Sequence, residues 1–265
     1  MAKIHGEAGR YCKQSAFHEW KRGFARPLLI AFVALFVGGM CIGGGFRYFW
    51  WLGFMGVGVM YWAKQAIERS CQRYDDTSRR NRRNHLRGAE AEEVVALELA
   101  DLPDSFHVFN GLILDGRANP SAERDIDHIV VGPTGVWALS TKGHKGLYQI
   151  RGNQHFLNGA PHPFASRARE DAADLHELLK GKLKSRVPWV QAAIVLPFAW
   201  VEGDNLRCNP MVLTSDQLLD ELDREKPRQT LNRNEIELVV QALDAVSVSR
   251  SLKKAGATPA PTPAT

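Results

Sequence analysis

Hydrophobic and polar positions change their spacing several times along this chain, and each change predicts an element. Pro27 to Phe46 contains no charged residue, and at about 1.5 Å per residue about twenty such positions reach the roughly 30 Å of a hydrocarbon core. Tyr48 to Ala63 is again uncharged, with Tyr48, Phe49, Trp50 and Trp51 at one end and Tyr61 and Trp62 at the other, as in interfacial aromatic belts. The pattern predicts a transmembrane hairpin over 27–63, with helices at 27–46 and 48–63. Gly39 and Gly43 form a Gly-x-x-x-Gly pair that suits close helix packing or a helix-mediated homodimer.

Beyond the spans the period becomes that of a mixed α/β domain. Val95, Ala96 and Leu99 lie three, four and seven residues after Glu92, which puts Glu92 on the buried side of a helix. Phe106 to Leu114 reads as a strand, and Tyr148 to Arg151 with His155 to Leu157 as a small hairpin across Gly152 and Asn153. Ala165 to Leu183 has helical spacing, with Arg167 and Arg169 on its charged face, and Ala192 to Leu196 is an apolar run closed by Pro197. Met211 to Thr214 reads as a strand, Ser215 as the cap of a helix over Asp216 to Leu222, and Asn234 to Val246 as a closing helix. From Ala255 onward Pro, Ala and Thr dominate, predicting a disordered tail.

The richest segment runs from Asp125 to Lys142. Gly132 and Gly135 bracket Pro133-Thr134, so a tight hairpin pairs Val131 with Val136 and onward, setting Asp127 opposite Ser140 and Asp125 opposite Lys142. Alternation then places Asp125, Asp127, Ile129 and Val131 on one face with Val136, Ala138, Ser140 and Lys142. An acid amid Ile126, Ile129, Val130 and Val131 is costly unless paired or metal-bound. His128, on the opposite face, reads as a packed or hydrogen-bonded histidine.

Charge adds topology. The chain carries a formal net charge of +5, concentrated around the apolar runs. Arg10, Lys13, Lys21, Arg22 and Arg26 precede them, and Lys64, Arg69, Arg73, Arg79, Arg80, Arg82, Arg83 and Arg87 follow. The positive-inside rule then predicts a multi-pass protein of the inner (cytoplasmic) membrane with both termini and the large domain in the cytoplasm. Arg79, Arg80, Arg82 and Arg83 suit membrane lipid headgroups by their position, with nucleic-acid phosphates as the alternative. Cys12, Cys41, Cys71 and Cys208 are scattered and show no Cys-x-x-Cys pair, so neither a zinc site nor a disulfide framework is predicted. The expected layout is a basic segment 1–26, the hairpin 27–63, a basic linker 64–87, a domain 88–250 and a tail 251–265.

Asp127-His128-Ile129-Val130-Val131-Gly132-Pro133-x-Gly135-Val136, followed by Thr141-Lys142, resembles the NERD or nuclease-related domain of the PD-(D/E)XK nuclease superfamily. Gly88-Ala89-Glu90-Ala91-Glu92 is similar to the Gly-x-x-Gly-Glu helix that opens such domains. The resemblance is best over residues 88–200 and implies a restriction-endonuclease-like α-β-β-β-α-β core. It also implies phosphodiester hydrolysis with Mg²⁺ or Mn²⁺ held by Glu92, Asp127 and the carbonyl of Thr141, and Lys142 at the water or phosphate. Such an ion polarises the phosphate and lowers the pKa of the attacking water. The family's Glu-x-Lys reads Ser140-Thr141-Lys142 here, so Ser140 supplies a hydroxyl where a carboxylate is expected. Two functions follow: a membrane-anchored metal-dependent nuclease acting on DNA or RNA, and a catalytically degenerate, membrane-tethered module that binds nucleic acid or protein.

Overall fold

The computed structural model describes residues 1–9, 12–13, 17, 58, 61, 64–65, 80–115, 123–183, 187–224 and 230–256. The chain divides into two compact units, Met1–Tyr11 with Gly88–Thr265, and Cys12–Arg87. The first carries the described sheets.

Its main sheet has six strands in the order β1-β2-β3-β4-β8-β10: β1 (Lys3–His5), β2 (His107–Asp115), β3 (Glu123–Gly132), β4 (Gly135–Thr141), β8 (Val190–Val195) and β10 (Met211–Leu213). The meander β2-β3-β4 is antiparallel, whereas β1 on β2, β8 on β4 and β10 on β8 are parallel. Every residue of β4 is buried, as expected of a central strand covered on both faces. A second sheet, in the order β7-β6-β5-β9, is built from β5 (Gly146–Arg151), β6 (Gln154–Leu157), β7 (Ala160–Pro161) and β9 (Ala199–Glu202).

Helices cover both faces of the main sheet. Helix α1 spans 80–99, α2 Phe164–Lys182, α3 Ser215–Asp223 and α4 Arg233–Gly256. Ala172, Leu175 and Leu179 of α2 and Ile236, Val239 and Leu243 of α4 pack with Ile129, Val131, Val136 and Ala138. On the other face Val95 and Leu99 of α1 and Leu218 and Leu222 of α3 meet Val130, Trp137, Leu139 and Val195. Tyr148, Phe164, Ala168, Ile194 and Leu196 form a third cluster that joins the small sheet to the large one. The result is a three-layer α/β unit containing the anticipated helix, three strands, helix and strand, with three strands of the small sheet inserted after β4 and the fourth, β9, after β8.

Local chemistry accounts for the ends. The β3–β4 hairpin has the predicted register, from Gly132 opposite Gly135 to His128 opposite Leu139. Gly135 takes φ 124°, while a Cβ on Gly132 would strike the Phe106 ring. Thr134 Oγ1 donates to the Leu222 carbonyl at 2.6 Å, tying the turn to α3. Helix α4 begins with a reciprocal box, in which Asn232 Oδ1 accepts from the Glu235 amide and Glu235 Oε2 accepts from the Asn232 amide. At α3 the cap position is Thr214 rather than Ser215, and its side chain makes no capping hydrogen bond.

The N-terminal residues, expected as part of a separate basic segment 1–26, include a strand of this unit. The Lys3 amide donates to the Phe106 carbonyl and the Ala2 amide to the Ala100 carbonyl, seating β1 beside β2. His5 stacks on Phe109 at a centroid distance of 4.3 Å.

The inner-membrane localisation is corrected. Among the described residues no helix is long and apolar enough to cross a membrane; even α4, the longest described helix, carries Glu235, Glu237, Asp244, Arg250, Lys253 and Lys254. The spans at 27–46 and 48–63 lie outside the described residues apart from Gly58 and Tyr61. A multi-pass topology, a lipid partner and a homodimer through Gly39 and Gly43 are accordingly not sustained. Arg79 also lies outside the described residues. Arg80, Arg82 and Arg83 are exposed on the first turn of α1 as described.

Candidate functional site

Strand β3 runs antiparallel to β4 only as far as His128 opposite Leu139. One residue further, Asp127 replaces the ladder with its side chain: Oδ2 accepts from the Thr141 amide at 2.6 Å. Beyond that point β4 belongs to β8, with Thr141 opposite Val195 and the Lys142 amide donating to the Val195 carbonyl at 2.9 Å. The two strands therefore part at Asp127, opening a corner at the end of a fully buried strand.

The corner forms where side-chain alternation breaks. On β2, Phe109 and Leu112 fall in the same cluster although their spacing is odd; on β3, Ile126 joins Ile129 and Val131. Gly111 lies between the first pair at φ 61°, a conformation that strongly favours glycine. This corrects the expected pairing of Asp125 with Lys142. Asp125 sits opposite Ile113, and Lys142 turns to Asp127 instead.

Lys142 Nζ lies 2.9 Å from the Thr141 carbonyl and 3.4 Å from Asp127 Oδ2. Asp127, Thr141 and Lys142 thus come together as expected, but the ammonium lies against the same carboxylate and carbonyl that the resemblance assigned to a metal ion. Ser140 is buried beside them in sequence. Glu92 is buried, as its spacing predicted, and its Oε2 accepts from the Gly9 amide at 2.9 Å. Among the described residues no three His, Cys, Asp or Glu side chains converge to hold a metal ion. The donor set does not fit the expected divalent ion, because Ser140 supplies a neutral hydroxyl where a carboxylate is expected and Lys142 Nζ already lies against the carboxylate and carbonyl that the ion would use.

Behind the corner, His128 is fully buried, with Nδ1 2.8 Å from Asn110 Oδ1 and Nε2 without a hydrogen-bond partner. Burial pushes its pKa down to about 4; Asp127 opposes the shift and Lys142 adds to it.

In front of the corner lie groups that the sequence reading passed over. His144 and His162 flank Phe164, with ring centroids 5.1 and 3.7 Å from it. Burial holds His162 below the ordinary imidazole range, and the positive charge of His144, Arg167 and Lys142 presses the same way. Lys142, His144, His162 and Arg167 are therefore electrostatic neighbours. Arg167 was noted in the sequence as one face of a helix; the run Lys142-Gly143-His144-Lys145 was the signal for the rest.

The profile of the nuclease-related domain, NERD, matches residues 87–197. No curated protein and no solved structure matches the chain. The matched region includes α1 from its eighth described residue, the meander, the small sheet through β7, α2 and β8, so that Glu92, Asp127, Ser140, Thr141 and Lys142 all fall inside it.

Proposed function

We propose that this nuclease-related domain engages the phosphates of nucleic acid at the Asp127–Lys142 corner without building a hydrolytic metal centre. The observation that carries this reading is the position of Lys142 Nζ, 2.9 Å from the Thr141 carbonyl and 3.4 Å from Asp127 Oδ2. An ammonium there offsets the carboxylate and leaves its third hydrogen for a phosphate oxygen. Arg167, close enough to act on His162, extends the positive field away from the corner, which suits a polyanion.

Hydrolysis with Mg²⁺ or Mn²⁺ is the second reading, supported by the meeting of Asp127 with Lys142, two of the residue types such chemistry uses. One experiment separates the two. Labelled DNA and RNA, single- and double-stranded, are incubated with the full chain while Mg²⁺ or Mn²⁺ is titrated, with Asp127→Ala alongside. Binding without cleavage supports the proposal. Metal-dependent cleavage that disappears in Asp127→Ala overturns it in favour of the nuclease.

A further inference from the structure

The small sheet has an outer face that none of the three core clusters uses. Leu147 and Trp200 are direct partners across β5 and β9, and they are 40% and 81% exposed. Side chains alternate along a strand, so Leu147, Gln149 and Arg151 face outward while Tyr148, fully buried in the third cluster, faces in. Phe156 of β6, opposite Gln149, lies on the same outer face, with the Arg151 guanidinium 5.1 Å from its ring centre. An exposed indole beside an aliphatic neighbour, with a second ring on the same face, makes an apolar patch of the kind that marks a contact site.

The charges around the platform select the occupant. Lys145 Nζ lies 5.7 Å over the Phe198 ring at the edge nearest the corner. Arg151 donates to Gln149 Oε1, and Gln149 Nε2 donates to Glu202 Oε2 at 2.7 Å, so the face's carboxylate is already engaged by an amide. Lys142 and Gly146, the first residue of β5, are four residues apart, which limits their Cα separation to about 14 Å. A corner presenting the Lys142 ammonium thus leads, over a short loop bearing His144 and Lys145, onto a sheet that presents an exposed indole.

We propose that this outer face is a base-stacking platform for single-stranded nucleic acid, with Trp200 as the stacking ring and the Lys142–Lys145 loop holding the adjoining backbone. The proposal rests on the reading of the corner as a phosphate site and narrows its substrate class. A paired base hides both its faces within the duplex, so an indole on an open sheet can stack only on an unpaired one. Phosphates on one side and bases on the other give the strand a continuous path.

Fluorescence anisotropy of the full chain with labelled oligothymidine, and with a mixed-sequence duplex of equal length, tests this. Trp200→Ala should weaken single-strand binding about five- to hundredfold and leave duplex binding unchanged, while Trp200→Phe keeps most of the single-strand affinity. Thermal unfolding of each variant checks the fold, which so exposed a side chain should not disturb. Unchanged single-strand affinity in Trp200→Ala, with Lys142→Ala still weakening it, overturns the platform and leaves the phosphate corner standing. No binding of either nucleic acid by the parent chain overturns both.

Discussion

The Thr141 amide donates to Asp127 Oδ2 at 2.6 Å, one residue beyond the last β3–β4 backbone pair, His128 with Leu139. A carboxylate thus takes over a backbone hydrogen bond at the point where two strands separate. Asp127→Ala should leave that amide without its acceptor and destabilise the unit by roughly 1–3 kcal/mol in urea unfolding. Asp127→Asn keeps an oxygen in place and should cost less. With the negative charge gone, Asp127→Asn should also bind nucleic acid more tightly than the parent, and weaker binding would count against a phosphate at this corner.

Lys142→Ala removes the ammonium without touching the backbone ladder to Val195. Affinity for nucleic acid should fall across all sequences, and the dependence of log K on log salt should become shallower by about one ion's worth. A salt titration of binding reads this directly.

The metal question has a readout that does not depend on activity. In the parent chain, Mg²⁺ or Mn²⁺ at roughly millimolar levels should leave the melting temperature unmoved, since any ion bound only to the native state would raise it. Ser140→Glu should lower stability in the absence of metal, because it buries a carboxylate, and should then gain thermal stability on adding Mn²⁺. Stabilisation of the parent by metal would show a site that its side chains do not display.

Acid should weaken the fold through His128. The unfolded imidazole takes up a proton near pH 6.5, whereas the buried one resists until about pH 4. The unfolded state therefore binds more protons in that window, and stability falls as pH drops from 6.5 towards 4, by an amount on the order of 3 kcal/mol. His107, His155 and His162, also lowered by burial, act in the same direction. In His128→Gln the urea-derived stability should change less steeply over this range, whatever its value at pH 7.

Local patterns were the legible part of this fold. The Gly132–Gly135 turn fixed the hairpin register, the spacing of Ala168, Ala172, Leu175 and Leu179 marked α2, and the run Ala192–Leu196 marked most of β8. What escaped depends on residues far apart in sequence. Strand β9 pairs in parallel with β5, and β1 with β2; three or four residues of strand carry no period strong enough to announce a distant partner. The break of alternation around Gly111 and Asp127 was hidden for another reason, since a single glycine at positive φ reverses the facing of everything beyond it. That is why Asp125 was expected opposite Lys142. The apolar segments 27–46 and 48–63, where hydropathy predicted spans, lie outside the described residues apart from Gly58 and Tyr61, and among the described residues no helix is long and apolar enough to cross a membrane.

Strand β1 bears on how the domain comes to be made. Its partners, Ala100 and Phe106 to Phe109, follow it by roughly a hundred residues, so on the ribosome Lys3–His5 emerges long before the strand it will join. Closing so long a loop carries an entropic cost that grows only slowly with length, but it cannot begin until β2 exists. Strand β1 is thus made before the other described strands of its sheet, yet it can join that sheet only after β2 has followed it. Until β1 docks, the backbone edge of β2 and the Glu92 carboxylate, which in the finished unit receives the Gly9 amide, await a segment already synthesised.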